Sequence, residues 1–169
     1  VLALSVLAGL GSAGVAIAVS AGAGGWEGYA ALMVGTLLLA LAFVSLGILF
    51  STLASKRSSA IALAVFVWFF FTVVWGLLIF GLAAASGASF DITNPSAFNI
   101  PQWVLSVDVA NPAEELSALT LASFGMHQVM GFPVEYPPWV SAGSMLAALA
   151  LWAFLPLAFA FLRLRRLDF

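Results

Sequence analysis

The sole histidine of the chain, His127, stands between Met126 and Met130. An imidazole beside two thioethers is a soft ligand set of the kind that suits Cu(I). No cysteine and no second histidine exists to complete such a site. Met126, His127 and Met130 therefore read first as an apolar loop and only second as a metal contact, and no metal or other cofactor is assigned to this chain. Glu114 and Glu115 are adjacent acids that could exchange protons with a substrate. Their place at the start of a short helix explains them more simply, because acids suit the positive end of a helix dipole. Gly9, Gly11 and Gly14 satisfy the G-x-G-x-x-G spacing. A dinucleotide site needs that spacing between a strand and a helix. Here it lies in an apolar stretch, where small residues let helices approach closely. Trp68, Phe69, Phe70, Phe71 and Trp75 form an aromatic run, and the seven-residue separation of Trp68 and Trp75 puts both on one face of a helix. They either pack or line a path. No H-E-x-x-H, no P-loop and no Ser, His and Asp grouping is present. The chain is read as carrying no catalysis of its own.

The elements that must position these residues follow from composition. Of 169 residues, 64% are hydrophobic and 7% are charged. A soluble domain is roughly 45–50% apolar and about 25% charged. Residues 1–26, 28–55, 58–90 and 136–162 carry no Asp, Glu, Lys or Arg. About 20 apolar residues cross a bilayer core of roughly 30 Å. The predicted fold is all-α: a polytopic membrane helical bundle in one transmembrane domain over residues 1–169. Four spans are expected at about 1–20, 28–52, 60–85 and 140–162, with an outer segment at 86–139 and a tail at 163–169. Val1 already lies in an apolar run, so the chain reads as a piece of a longer protein. Five basic residues in two small clusters cannot track phosphates, which excludes nucleic acid as a partner.

Those five cations fix an orientation. Lys56 and Arg57 lie between the second and third spans, and Arg163, Arg165 and Arg166 follow the fourth. An up-and-down count puts all five on one side, which the positive-inside rule makes cytoplasmic. The C-terminus is then cytoplasmic, in a multi-pass protein of the plasma membrane with the lipid bilayer as its surroundings. Glu27, Asp91, Asp108, Glu114, Glu115 and Glu135 fall on the outer side. Trp26 with Tyr29, and Tyr136 with Trp139, flank outer boundaries as an aromatic belt would. No ionisable residue lies deep in any span.

The outer segment holds six of the seven prolines. It is expected to contain two short helices lying at, or dipping into, the outer surface. The first starts at Pro101, with Trp103, Val104 and Val107 on one face. The second has a stronger start: Asn111 as cap, Pro112 at the first helical position, and Glu114 where a capping box takes an acid. Leu116, Leu119 and Phe124 make its apolar face. Asn111, Pro112, Glu114 and Leu116 are thereby read as an outer gate helix that closes one end of a path.

Three stretches carry a resemblance to a known family. Residues 46–60, LGILFSTLASKRSSA, are a helix end, a basic turn and a new apolar helix. Residues 111–116, NPAEEL, lie before the last span, and residues 161–169, FLRLRRLDF, form a basic stop after it. Together they resemble the membrane subunit of type-2 ATP-binding-cassette transporters. They are nearest in style to the permeases of nitrous-oxide-reductase maturation and copper processing. The resemblance implies six spans in the whole protein and a homodimer of permeases around a translocation path. It also implies a cytoplasmic ATP-binding subunit as partner, on which ATP is bound and hydrolysed. The alternative is a non-transporting integral membrane assembly or scaffold protein with an outer binding segment.

Overall fold

A computed structural model describes residues 5, 8, 9, 11, 25–88, 99–126, 128, 129 and 132–165. The expected first span, with Gly14 of the glycine motif, lies mostly outside them; Ser5, Ala8, Gly9 and Gly11 are helical. The described elements are α1 (Trp26–Leu53), α2 (Arg57–Phe69), a π-helical turn (Phe70–Val74), α3 (Trp75–Ala85), α4 (Gln102–Asp108), α5 (Pro112–Phe124) and α6 (Ala142–Leu164). Among the described residues the fold is all-helical as expected, apart from a minimal antiparallel pair, β1 (Gln128–Val129) with β2 (Phe132–Pro133). Three described helical runs are long and apolar enough to cross a membrane: Trp26–Leu53, Arg57–Ala85 and Ala142–Leu164. They are the expected second, third and fourth spans, each shifted by one to three residues.

Local chemistry sets those boundaries. The third span, Arg57–Ala85, ends where Gly87 turns left-handed, at φ 79°, and Ala88 N–H bonds back to the Ala83 carbonyl at 3.0 Å. The last span starts later than residue 140, because Ser141 and Ser144 close a capping box with bonds of 2.9 and 3.2 Å. Its Pro156 has no N–H to offer the carbonyl four residues before it. That carbonyl, on Trp152, instead accepts a long bond from Ser45 Oγ of α1, at 3.4 Å.

α1 and α6 pack along their length, and α5 lies in the groove between them. Val109, Ala118, Leu119, Met145 and Leu149 make the core there, with Leu38, Leu39 and Leu116 against it. Two glycines of α1 allow the approach. A Cβ on Gly28 would sit 2.7 Å from the Ser123 carbonyl oxygen, and one on Gly35 would run into the ends of Leu119 and Leu116. Gly28 is at the start of α1 and Gly35 two turns further along. α5 is therefore antiparallel to α1, with Phe124 nearest the start of α1 and Pro112 deepest.

The short helices are thus not surface elements. α4 and α5 form a hairpin that enters from the end of the bundle where α1 starts, and its tip reaches half-depth. Asn111 Nδ2 donates to the Phe71 carbonyl at 2.8 Å. Phe71 is fourteen residues from either end of the 29-residue span Arg57–Ala85. The buried face of α4 is the expected one only at Val104. Val104 and Leu105 are buried, while Trp103 and Val107 are exposed. A helix this short turns inward whichever side faces the core beside it.

Candidate functional site

The candidate site is the tip of this hairpin, residues 108–116, and what the spans place around it. Asn111 does two things there, and it is fully buried. Its Oδ1 accepts from Ala113 N–H at 2.9 Å, the cap that the sequence calls for. Its Nδ2 holds the π-turn of the neighbouring span. Pro112 occupies the first helical position as expected. Glu114 closes no capping box. It lies instead within electrostatic reach of Asp108 and Tyr136. Gly125, at φ 61°, ends α5.

The π-turn inserts one residue into the span. An added residue turns all that follows by about 100° relative to a continuous α-helix. Trp68 and Trp75 consequently do not share a face: Trp68 is exposed, whereas the Trp75 indole donates to the Asp108 backbone carbonyl at 3.2 Å. Phe70, Phe71, Trp75 and Trp152 collect around the tip. The Phe71 and Trp152 rings meet edge to face at 5.4 Å, and Phe70 and Trp75 at 5.9 Å.

The acids of the hairpin fall on two different faces. Asp108 and Glu114 are on one face with Tyr136. Burial raises the Asp108 carboxyl to about 6, the charge of Glu114 adds to this, and the Trp75 side chain opposes it. Burial also raises Glu114. Tyr136 is pushed up to about 12, by burial first and by the two acids after it. Glu115 is on the other face, 3% exposed, and it corrects the expectation of an outer-surface acid. It faces Trp152, about 15 Å along α6 from its start. The Trp152 indole hydrogen-bonds its carboxylate, and Oε2 has no partner. Burial raises this carboxyl to about 7, with the Trp152 bond pulling down. An acid at span depth thus exists, supplied by the hairpin and not by a span. Its sequence signal is the position of Glu115 one turn before Ala118 and Leu119, on the inward stripe of α5.

Leu116 is half-buried against the core. At the mouth of the hairpin, Met126 borders a cavity of about 440 Å³ with Gln102, Glu135 and Tyr136. His127 and Met130 lie outside the described residues, so the three soft ligands are not placed together. Trp26 and Trp139 are exposed while Tyr29 is buried, so only the tryptophans stand where a belt would. At the opposite end Arg163 Nε donates to the Thr52 carbonyl at 3.0 Å. This puts Arg163 beside the turn that carries Lys56 and Arg57. Arg165 stacks on the Phe161 ring at 5.8 Å; Arg166 lies outside the described residues.

Comparison with known proteins supplies the context. The family model described as ABC-2 family transporter protein matches residues 1–169. The chain is similar to the probable ABC transporter permease protein NosY of Pseudomonas aeruginosa, with 32% identity over 170 residues, covering 95% of this chain and 57% of that protein. It is also similar to the NosY permease of Stutzerimonas stutzeri, with 32% identity over 137 residues, covering 78% of this chain and 46% of that protein. The chain spans about half the length of these relatives.

Proposed function

The chain belongs to the ABC-2 transporter family, and from that premise we propose that it is part of the membrane-spanning permease subunit of an ATP-driven ABC transporter. It forms the translocation path and performs no chemistry. ATP is bound and hydrolysed on a cytoplasmic partner subunit, and the path lies between two copies of the permease in the plasma membrane. The basic end, with Lys56, Arg57, Arg163 and Arg165, is cytoplasmic. The hairpin closes the outer end of the path. One observation supports the role given to the hairpin: a capped helix tied at half-depth by the bond from Asn111 to the Phe71 carbonyl. Such an element can block a path at rest and open it when the π-turned span moves.

The test is co-purification. The full-length permease is expressed with a candidate ATP-binding subunit from the same organism and captured by a tag on the permease. A stoichiometric complex whose ATPase activity depends on the permease is the expected result. Capture of correctly inserted permease without the ATPase would favour a scaffold instead.

A further inference from the structure

Glu115 borders a hollow of about 240 Å³ whose other walls are Ala148, Leu151, Trp152, Leu155 and Pro156. Every wall but one is aliphatic, and the exception is an indole. One carboxylate oxygen is held by that indole, while Oε2 has no hydrogen-bond partner and almost no exposure to water. A buried polar atom left unpaired is costly. The same atom is attractive to any positive group that can enter apolar walls.

The chemistry of that group is constrained. A metal ion needs several oxygen, nitrogen or sulfur ligands, and the hollow offers one carboxylate; among the described residues no group of three or more His, Cys, Asp or Glu could hold a metal. Arg163 of α6 is engaged with Thr52 at the far end. A carboxylate held by an indole N–H, within aliphatic and aromatic walls, matches an organic cation: charge to charge and carbon to carbon. We infer that this hollow is a binding site for a monovalent lipophilic organic cation, an amine or quaternary ammonium, with Glu115 as counter-ion and Trp152 as aromatic wall. Its volume admits one small aromatic ammonium.

Binding is an exchange. The protonated carboxyl releases its proton to water as the cation arrives, one charge out for one in. Asp108 and Glu114 lie on the other face of the hairpin. The described titratable groups of α1, Glu27 and Tyr29, are at its start, and Arg163 of α6 is at the opposite end of the bundle. Glu115 therefore titrates by itself. The inference needs neither ATP nor transport, so it stands or falls separately from the permease reading.

The experiment uses the full-length permease, with any ATPase that accompanies it, in lipid nanodiscs. Benzyltrimethylammonium is the probe, and neopentylbenzene is its uncharged isostere. Calorimetric titration is expected to give one saturable site for the cation. Glu115→Gln keeps an acceptor for the indole but loses the charge, and it should weaken cation binding at least about tenfold while leaving neopentylbenzene unaffected. Leu155→Trp fills the hollow with Glu115 intact and should abolish the site, which keeps the test decisive if Glu115→Gln disturbs folding. From pH 6 to pH 8 the ionised fraction of a group titrating near 7 rises about tenfold. Wild-type affinity should rise with it, and that of Glu115→Gln should not. Equal binding by wild type and Glu115→Gln, equal affinity for the uncharged isostere, or no saturable binding would each overturn the inference.

Discussion

Asn111 is the residue on which the hairpin turns, because its two side-chain atoms serve two elements. Asn111→Ala removes both the cap of α5 and the bond to Phe71, and should cost about 1–2 kcal/mol. Hydrogen exchange of amides 113–119 in nanodiscs should quicken accordingly. Asn111→Asp separates the two roles. It keeps the oxygen that caps Ala113 N–H but turns a donor toward the Phe71 carbonyl into an acceptor. We expect α5 to stay protected at its first turn while the π-turn loosens. Asp108 gives a pH dependence with a definite sign. Its carboxyl is raised in the folded protein from 3.8 to about 6, so the folded state holds the proton more tightly. Stability from this group is full below about pH 3.8 and is lost as pH rises toward 6. Protection of the hairpin, corrected for intrinsic exchange, should fall across that window, and Asp108→Asn should lessen the fall, the remainder belonging to Glu114 and Glu115, whose carboxyls burial also raises.

Among the elements, the approach of α5 to α1 is set by what faces each glycine. At Gly28 the obstacle is the backbone carbonyl of Ser123; at Gly35 it is the ends of two leucines. Leucine ends can rotate away and a carbonyl cannot, so Gly28→Ala should destabilise by about 1–3 kcal/mol. Gly35→Ala should be milder, offset in part by the better helix propensity of alanine. Thermal unfolding of the two variants in detergent checks the order. The π-turn makes a second claim. Deleting Thr72 restores a continuous helix, rotates α3 by about 100°, and should break the Trp75 bond to Asp108. The spans were legible in the sequence because long uncharged apolar runs have one solution in a bilayer, and the α5 start was legible because Asn-Pro is a local signal. The hairpin's depth was not legible. It depends on Gly28 and Gly35 lying opposite a helix some 80 residues further along, and nothing local in residues 101–124 records that groove. The inserted residue at Phe70–Val74 left no sequence mark either, so a face assigned by counting sevens through it was lost. Glu115 followed from the same gap, since an acid near a proline-rich segment looks exposed until its helix is known to enter the bundle.

For the molecule as a whole, the basic residues mark one end and the hairpin mouth the other. Cysteines placed at Ser55 and at Arg165 should be labelled from the same side of sealed vesicles, and one at Glu135 from the opposite side. Changing both Lys56 and Arg57 to Glu should lower correct insertion, because orientation follows such cations; a protease-protection assay reads it. α1 and α6 form one block through close packing, the Ser45 bond and the Arg163 tie. The span Arg57–Ala85 is held differently. Ala83 is its only buried residue, and it meets the hairpin through the hydrogen bonds of Asn111 and Trp75. The first of these falls at the midpoint of the rod. The span is in effect a lever with its fulcrum at Phe71 and arms of about 21 Å on either side. Tilting about that point moves the two ends by equal distances in opposite directions, so a displacement delivered beside Lys56 reappears, reversed, beside Gly87.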